Sequence, residues 1–222
     1  MACLLLLNMV GTRGHNGVSF ILVDATDAFR YVDALRHVPE ISVDGIVDKD
    51  PERRANLSQL LGAKAQKSCL QEMLDGNPSC DGVIVGNHDE TSVENARMAI
   101  HNGMNVLLSL PRMSKSFEVK TLAEEAKAAQ VCLMVSNTLR FVPSQQVLKA
   151  RLDKGDLGVL GLVRAHRWIG KINNKNGPQC HMLSVPYLDL SNWLFDDVPQ
   201  LIYARAIGSG YVQIHLGFVE GG

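Results

Sequence analysis

Five runs of β-branched and aliphatic residues, four of them followed by a stretch with helical spacing, constrain the first 140 residues more than any other feature. "VSFILV" (18–23) precedes a helical pattern near 26–37. "ISVDGIVD" (41–48) precedes "PERRANLSQLLG", with Pro51 in the first turn and Gly62 as a stop signal. "GVIVG" (82–86) precedes "ETSVENARMAIHNG", which Gly103 closes, and "NVLLSL" (105–110) precedes "SKSFEVKTLAEEAKAAQ". "VCLMVS" (131–136) ends the series. Continuous apolar strands must be buried on both faces, and strands alternating with helices form a parallel sheet through right-handed crossovers. The pattern therefore predicts a doubly wound α/β domain over 18–140. Residues 1–17 read as a flexible leader. A competing reading takes "GTRGHNG" (11–17) as a phosphate loop and makes 18–37 one helix, against the strand character of "VSFILV".

The rhythm changes after residue 140. "SQQVLKARLDKGDLG" reads as a helix. "LVRAHRWIG", a polar loop "KINNKNGPQ" and an apolar stretch around "YLDLSNWLF" follow, and then two strand-like runs, "QLIYARAIG" and "YVQIHLGFV". Residues 141–222 are expected to form part of an α+β domain, ending at the turn signal "EGG". Trp168 and Trp193 read as core or interface aromatics.

Composition removes several function classes. A formal net charge of −1 supplies no basic field for nucleic acid. No stretch approaches the roughly 18 apolar residues of a membrane span. The start lacks the basic region of a signal peptide, and Asn8 interrupts its apolar run. Cys3, Cys69, Cys80, Cys132 and Cys180 show no C-x-x-C spacing, which suits reduced thiols in a cytosol rather than a zinc ribbon or a disulfide framework. The expectation is a cytoplasmic protein with no membrane or nucleic-acid partner.

Three stretches carry a resemblance: "VDKDPERRANLSQLLG" (47–62), "AIHNGMNVLLSLP" (99–111) and "NTLRFVPSQQVLKARLDKGDLG" (137–158). In order and spacing they are similar to the glucose–fructose oxidoreductase/inositol dehydrogenase (Gfo/Idh/MocA) family, over roughly residues 18–218. The resemblance implies a Rossmann domain, a second domain with an open, mostly antiparallel sheet, and NAD or NADP as cofactor for sugars or polyols.

The positions that carry the family's chemistry depart from it. Its glycine motif, needed for a tight turn and close approach to a pyrophosphate, falls on Asp24, Thr26 and Phe29. Its Glu-Lys-Pro motif falls on Ser109, Leu110 and Pro111, so only the proline is kept. Its Asp-x-Gly-x-His-x-x-Asp pattern falls on Met182, Ser184, Pro186 and Asp189. Asp48 stands where the family places its ribose-binding acid; it also reads as a carboxylate favourable to the next helix dipole. His181, one place from the expected catalytic region, and Tyr187 are candidate proton-transfer groups. Arg140 matches a position near the family's cleft and reads equally as a structural ion pair.

Two functions follow. One is a catalytically degenerate member of the lineage, retained for binding, regulation or assembly, with nucleotide binding weak or absent. The other is a working NAD(P)-dependent oxidoreductase with a rearranged site and a small-molecule substrate. "VQIHLGF" alternates, with Val212, Ile214, Leu216 and Phe218 on one side. That apolar side needs cover, so a homo-oligomer through the 199–218 sheet is expected. The competing possibility is a monomer in which the helix around 183–195 covers it.

Overall fold

Val18–Val23 (β1) is hydrogen-bonded on both sides and fully buried from Phe20 onward, which is why this run has no polar alternation. The structure, a computed structural model, describes residues 17–24, 29–76, 78–87, 91–109, 116–168, 180–207 and 211–219. It divides into two units, 1–136 and 137–222.

In the first unit β1 is followed by α1 (Phe29–Arg36), β2 (Ile41–Val47), α2 (Pro51–Leu61), β3 (Ala65–Lys67) and α3 (Leu70–Asp75). Then come β4 (Gly82–Val85), α4 (Thr91–His101), β5 (Asn105–Ser109), α5 (Ser116–Ala128) and β6 (Leu133–Ser136). The six strands are parallel in the order β3-β2-β1-β4-β5-β6. The chain therefore reverses its direction of travel between β1 and β4, the place where open α/β sheets bind ligands. The predicted doubly wound sheet is present. The competing single helix over 18–37 is not, because Val18–Val23 sits at the centre of the sheet.

Local signals act where the sequence places them. Asp50 caps α2 by accepting from the Glu52 and Arg53 N–H groups, Pro51 occupies the first turn, and Gly62 ends the helix at φ 72°. Gly103 (φ 73°) follows α4 in the same left-handed conformation. The sequence reading proposed no element between 63 and 81. β3 and α3 lie there, too short to show a periodic pattern, with Leu70, Met73 and Leu74 on the buried side. Strand alternation sends side chains into two cores. Phe20, Leu22, Ile46, Ile84 and Leu107 share one face, and Ile21, Val23, Val47, Val83, Val106 and Leu108 share the other.

In the second unit a 3-10 turn (Thr138–Phe141) leads into α6 (Pro143–Asp153). The apolar stretch around 187–195 belongs to a helix, α7 (Cys180–Phe195), which carries Pro186 in its interior. β7 (Leu201–Ile207) and β8 (Tyr211–Gly217) pair antiparallel. α7 packs on β8, where Val212, Ile214 and Leu216 are half-buried and the Phe218 ring stacks on Phe195 at 4.2 Å. The side of β8 expected to need cover thus has a helix of its own unit against it. Trp193 is half-buried, whereas Trp168 is 93% exposed and contributes nothing to a core. Residues 1–16 of the leader and the "KINNKNGPQ" loop lie outside the described residues. No helix among the described residues is long and apolar enough to cross a membrane.

Candidate functional site

The carboxyl ends of β1, β2 and β5 carry the first unit's candidate residues. Asp24 follows β1 directly. Its N–H donates to the Val47 carbonyl (2.8 Å), and its backbone is left-handed at φ 48°. A glycine adopts that conformation freely; aspartate is among the few other residues that tolerate it. The turn expected of a nucleotide-binding domain is thus started by a side chain carrying negative charge. Asn95 on α4 donates to the Asp24 carboxylate at 3.1 Å and fixes its direction. Thr26 lies outside the described residues; Phe29 opens α1 and its side chain is likewise outside them.

Asp48 directly follows β2 and is 2% exposed. Arg53, one turn into α2, grips it bidentately, Nε to Oδ2 at 2.8 Å and Nη2 to Oδ1 at 3.1 Å. The Asp50 N–H also donates to Oδ1 (2.9 Å), and Arg54 donates to the Asp48 backbone carbonyl (2.6 Å). The hydrogen bond to Asp48 holds the Arg53 guanidinium above its ordinary pKa. Both carboxylate oxygens therefore have protein donors, in the strong geometry of a forked ion pair. Both sequence readings of Asp48 place it here, at the end of β2. The structure adds Arg53, whose spacing of five residues gave no separate signal.

Ser109 is the last residue of β5 and 1% exposed. Its hydroxyl lies 2.6 Å from the phenolic oxygen of Tyr31 on α1, 78 residues away in sequence. Leu110 and Pro111 lie outside the described residues. Removing one member of this pair leaves the other buried without its partner, at a cost of about 1–3 kcal/mol. Ser109→Ala is expected to lower stability by that amount. Adding Tyr31→Phe should recover most of the loss, which urea midpoints of the two single variants and the double variant would measure.

In the second unit Arg140 and Asp189 meet. Nε donates to Oδ2 at 2.6 Å and Nη2 to Oδ1 at 2.5 Å, with both side chains about one third exposed. Arg140 thus adopts the ion-pair role, and its partner is the aspartate at the end of the degenerate pattern. Pro186 sits one helical turn before Asp189 on the same face of α7, where the family pattern has histidine, and proline carries no titratable proton. Tyr187 is half-buried beneath the Arg167 guanidinium, 6.0 Å from the ring centroid, and its carbonyl accepts from Ser191. His181 and Met182 fall in the first turn of α7, and their side chains lie outside the described residues. Ser184 is half-buried on the same helix. Among the described residues no cluster of His, Cys, Asp or Glu is arranged to hold a metal ion. Burial pushes the Cys80 thiol up to about 11, which disfavours its thiolate at neutral pH.

A parallel sheet with its switch point between β1 and β4, and an acid closing β2, defines the Rossmann class of domains. The chain belongs to the Gfo/Idh/MocA oxidoreductase family: the family model described as "Oxidoreductase family, NAD-binding Rossmann fold" matches residues 17–137. A 4-carboxy-2-hydroxymuconate-6-semialdehyde dehydrogenase from Sphingobium sp. is 22% identical over 130 residues, covering 59% of this chain and 41% of that protein. A trans-1,2-dihydrobenzene-1,2-diol dehydrogenase from Xenopus laevis is 26% identical over 137 residues, covering 61% and 41% respectively. The matched segment thus spans about two fifths of these curated relatives. An oxidoreductase domain protein from Kribbella flavida superposes with a TM-score of 0.74 over 86% of this chain and 56% of that one. At 18% identity this shows a common fold.

Proposed function

We propose that this chain is a catalytically degenerate member of its oxidoreductase family, retained for binding, regulation or assembly and not for hydride transfer. The observation that carries the reading is Ser109. It stands at the start of the degenerate Glu-Lys-Pro motif; the residue is 1% exposed and its hydroxyl is engaged by Tyr31. A general acid or base must reach the proton it transfers, and a buried, hydrogen-bonded serine beside a leucine does not.

The NAD or NADP that the family fold implies does not fit the residues present. The phosphate turn begins with the Asp24 carboxylate, fixed by Asn95. The acid that would take the ribose hydroxyls has both oxygens held by Arg53 and the Asp50 N–H. No step of hydride transfer is therefore assigned to this chain.

Dehydrogenase assays on sugars and polyols with either cofactor are expected to give no turnover. Ser109→Glu combined with Leu110→Lys is expected to give none either, because Asp24 and Pro186 remain in place. Turnover by the unmodified chain would establish the other reading, an active oxidoreductase with a rearranged site. The free thiols Cys69, Cys80 and Cys132 support a reducing, cytoplasmic location. The exposure of β7 supports a homo-oligomer that uses the C-terminal sheet.

A further inference from the structure

β2 begins with alternating burial, Ile41 and Val43 inward and Ser42 and Asp44 outward, so the side it turns to α1 and α2 is apolar from its first residue. Both helices stop there. α1 ends at Arg36, before Pro39, and α2 ends at Leu61, before the left-handed Gly62. Between the two helix ends and the start of β2 lies a groove of about 310 Å³, at the end of the sheet opposite the switch point. Leu35, Ile41 and Val43 are the buried part of its lining. Pro39 and Leu60 are the exposed part, and Leu60 is left 45% open to water. The lining lies within residues 35–61, all of them described and all inside the segment that the family model matches.

The groove has one charged side chain, Arg36. Among the described residues Arg36 makes no ion pair and no side-chain hydrogen bond. Arg53, Arg54 and Arg97, the other arginines of the first unit with described side chains, each donate to a carboxylate or a carbonyl. The place of Arg36 in the last turn of α1 suits the helix dipole but engages none of its N–H donors. A planar fork of free donors on an apolar groove matches a carboxylate carried by an apolar chain, since the fork takes both oxygens and the groove takes the chain. A phosphate would bring a second negative charge where the lining has no second cation. An ammonium group would meet the guanidinium as a like charge.

We propose that this groove binds an unbranched aliphatic carboxylate, with Arg36 on the carboxylate and Leu60 and Pro39 against the chain. Its volume is at the small end of the range for ligand pockets, which suits a chain of medium length. The site shares no residue with the degenerate one at the carboxyl ends of the strands, and the proposal does not depend on whether that one works.

Octanoate titrated into the full chain, followed by amide chemical shifts, tests it. Saturable shifts are expected at residues 35–43 and 57–62, with a sub-millimolar dissociation constant. Each buried methylene adds about fourfold in affinity, so hexanoate is expected to bind roughly fifteenfold more weakly. Octylamine, with the same chain and the opposite charge, is expected to bind at least about tenfold more weakly than octanoate. Arg36→Gln should remove that difference, and Leu60→Asp should weaken octanoate at least about tenfold by placing a like charge and a polar group in the wall. Both positions are exposed, so circular dichroism is expected to be unchanged in either variant.

The absence of saturable shifts at these residues would overturn the proposal, whether another part of the chain or a second copy fills the groove or nothing does. Shifts centred elsewhere, or equal binding of octanoate and octylamine, would overturn it as well. Octyl phosphate binding more tightly than octanoate would overturn the choice of a carboxylate. None of these outcomes bears on catalysis, which the dehydrogenase assay tests separately.

Discussion

Titration with NADH or NADPH, followed by cofactor fluorescence or calorimetry, is expected to show no saturation at sub-millimolar concentration. The largest contribution comes from Asp24. A pyrophosphate placed over this turn brings like charges to about 5 Å, which at an effective dielectric of about 20 costs roughly 3 kcal/mol. Each 1.4 kcal/mol is about tenfold in affinity, so this single contact removes about two orders of magnitude. Asp48 adds to the loss. Three of its roughly four acceptor sites are already taken by Arg53 and the Asp50 N–H, and at 2% exposure it offers a ribose diol little access. A micromolar dissociation constant for either dinucleotide would show that the turn rearranges on binding, and the proposed degeneracy would then fail at its cofactor step.

Truncation of Phe20 is expected to be the most damaging single change to the first unit. Its ring is fully buried in the middle of β1, against one of the two cores. Phe20→Ala should cost about 3–5 kcal/mol, because the lost transfer energy adds to that of a cavity which a sheet bonded on both sides cannot collapse. The space for the ring depends on Gly82 of β4. A Cβ built there would lie 2.7 Å from the Asn105 carbonyl oxygen and 3.2 Å from the Phe20 ring. Gly82→Ala is therefore expected to destabilise by about 1–3 kcal/mol through overpacking. Urea unfolding of both variants would measure these losses. A stability loss below about 0.5 kcal/mol for Phe20→Ala would mean that the core is far looser than the buried strands indicate.

Most of the parallel sheet is legible without coordinates, because burial on both faces leaves a continuous apolar run that few other structures accommodate. "VSFILV" and "NVLLSL" identify themselves this way, and "PERRANLSQLLG" does so through its cap, its proline and its closing glycine. β3 and α3 are illegible because each is about one periodic unit long. The stretch around "YLDLSNWLF" reads as apolar with a helix around 183–195, but Pro186 just before it gives no hint that the helix begins as early as Cys180. The departures at Asp24, Ser109, Leu110 and Pro186 are visible by alignment with the family's pattern, since a missing glycine or lysine is a matter of identity alone.

The sequence by itself determined the class of fold, the family and the residue identities that differ from the family's motifs, since each of these is written in local spacing or residue type. Only the tertiary structure decided which partners the motif positions meet. Ser109 meets Tyr31 across 78 residues, Asp24 meets Asn95 on α4, and Asp189 receives Arg140. Each contact is made by parallel crossovers or helix packing that bring distant segments together, and a hydrogen bond between such segments leaves no periodic trace in the chain.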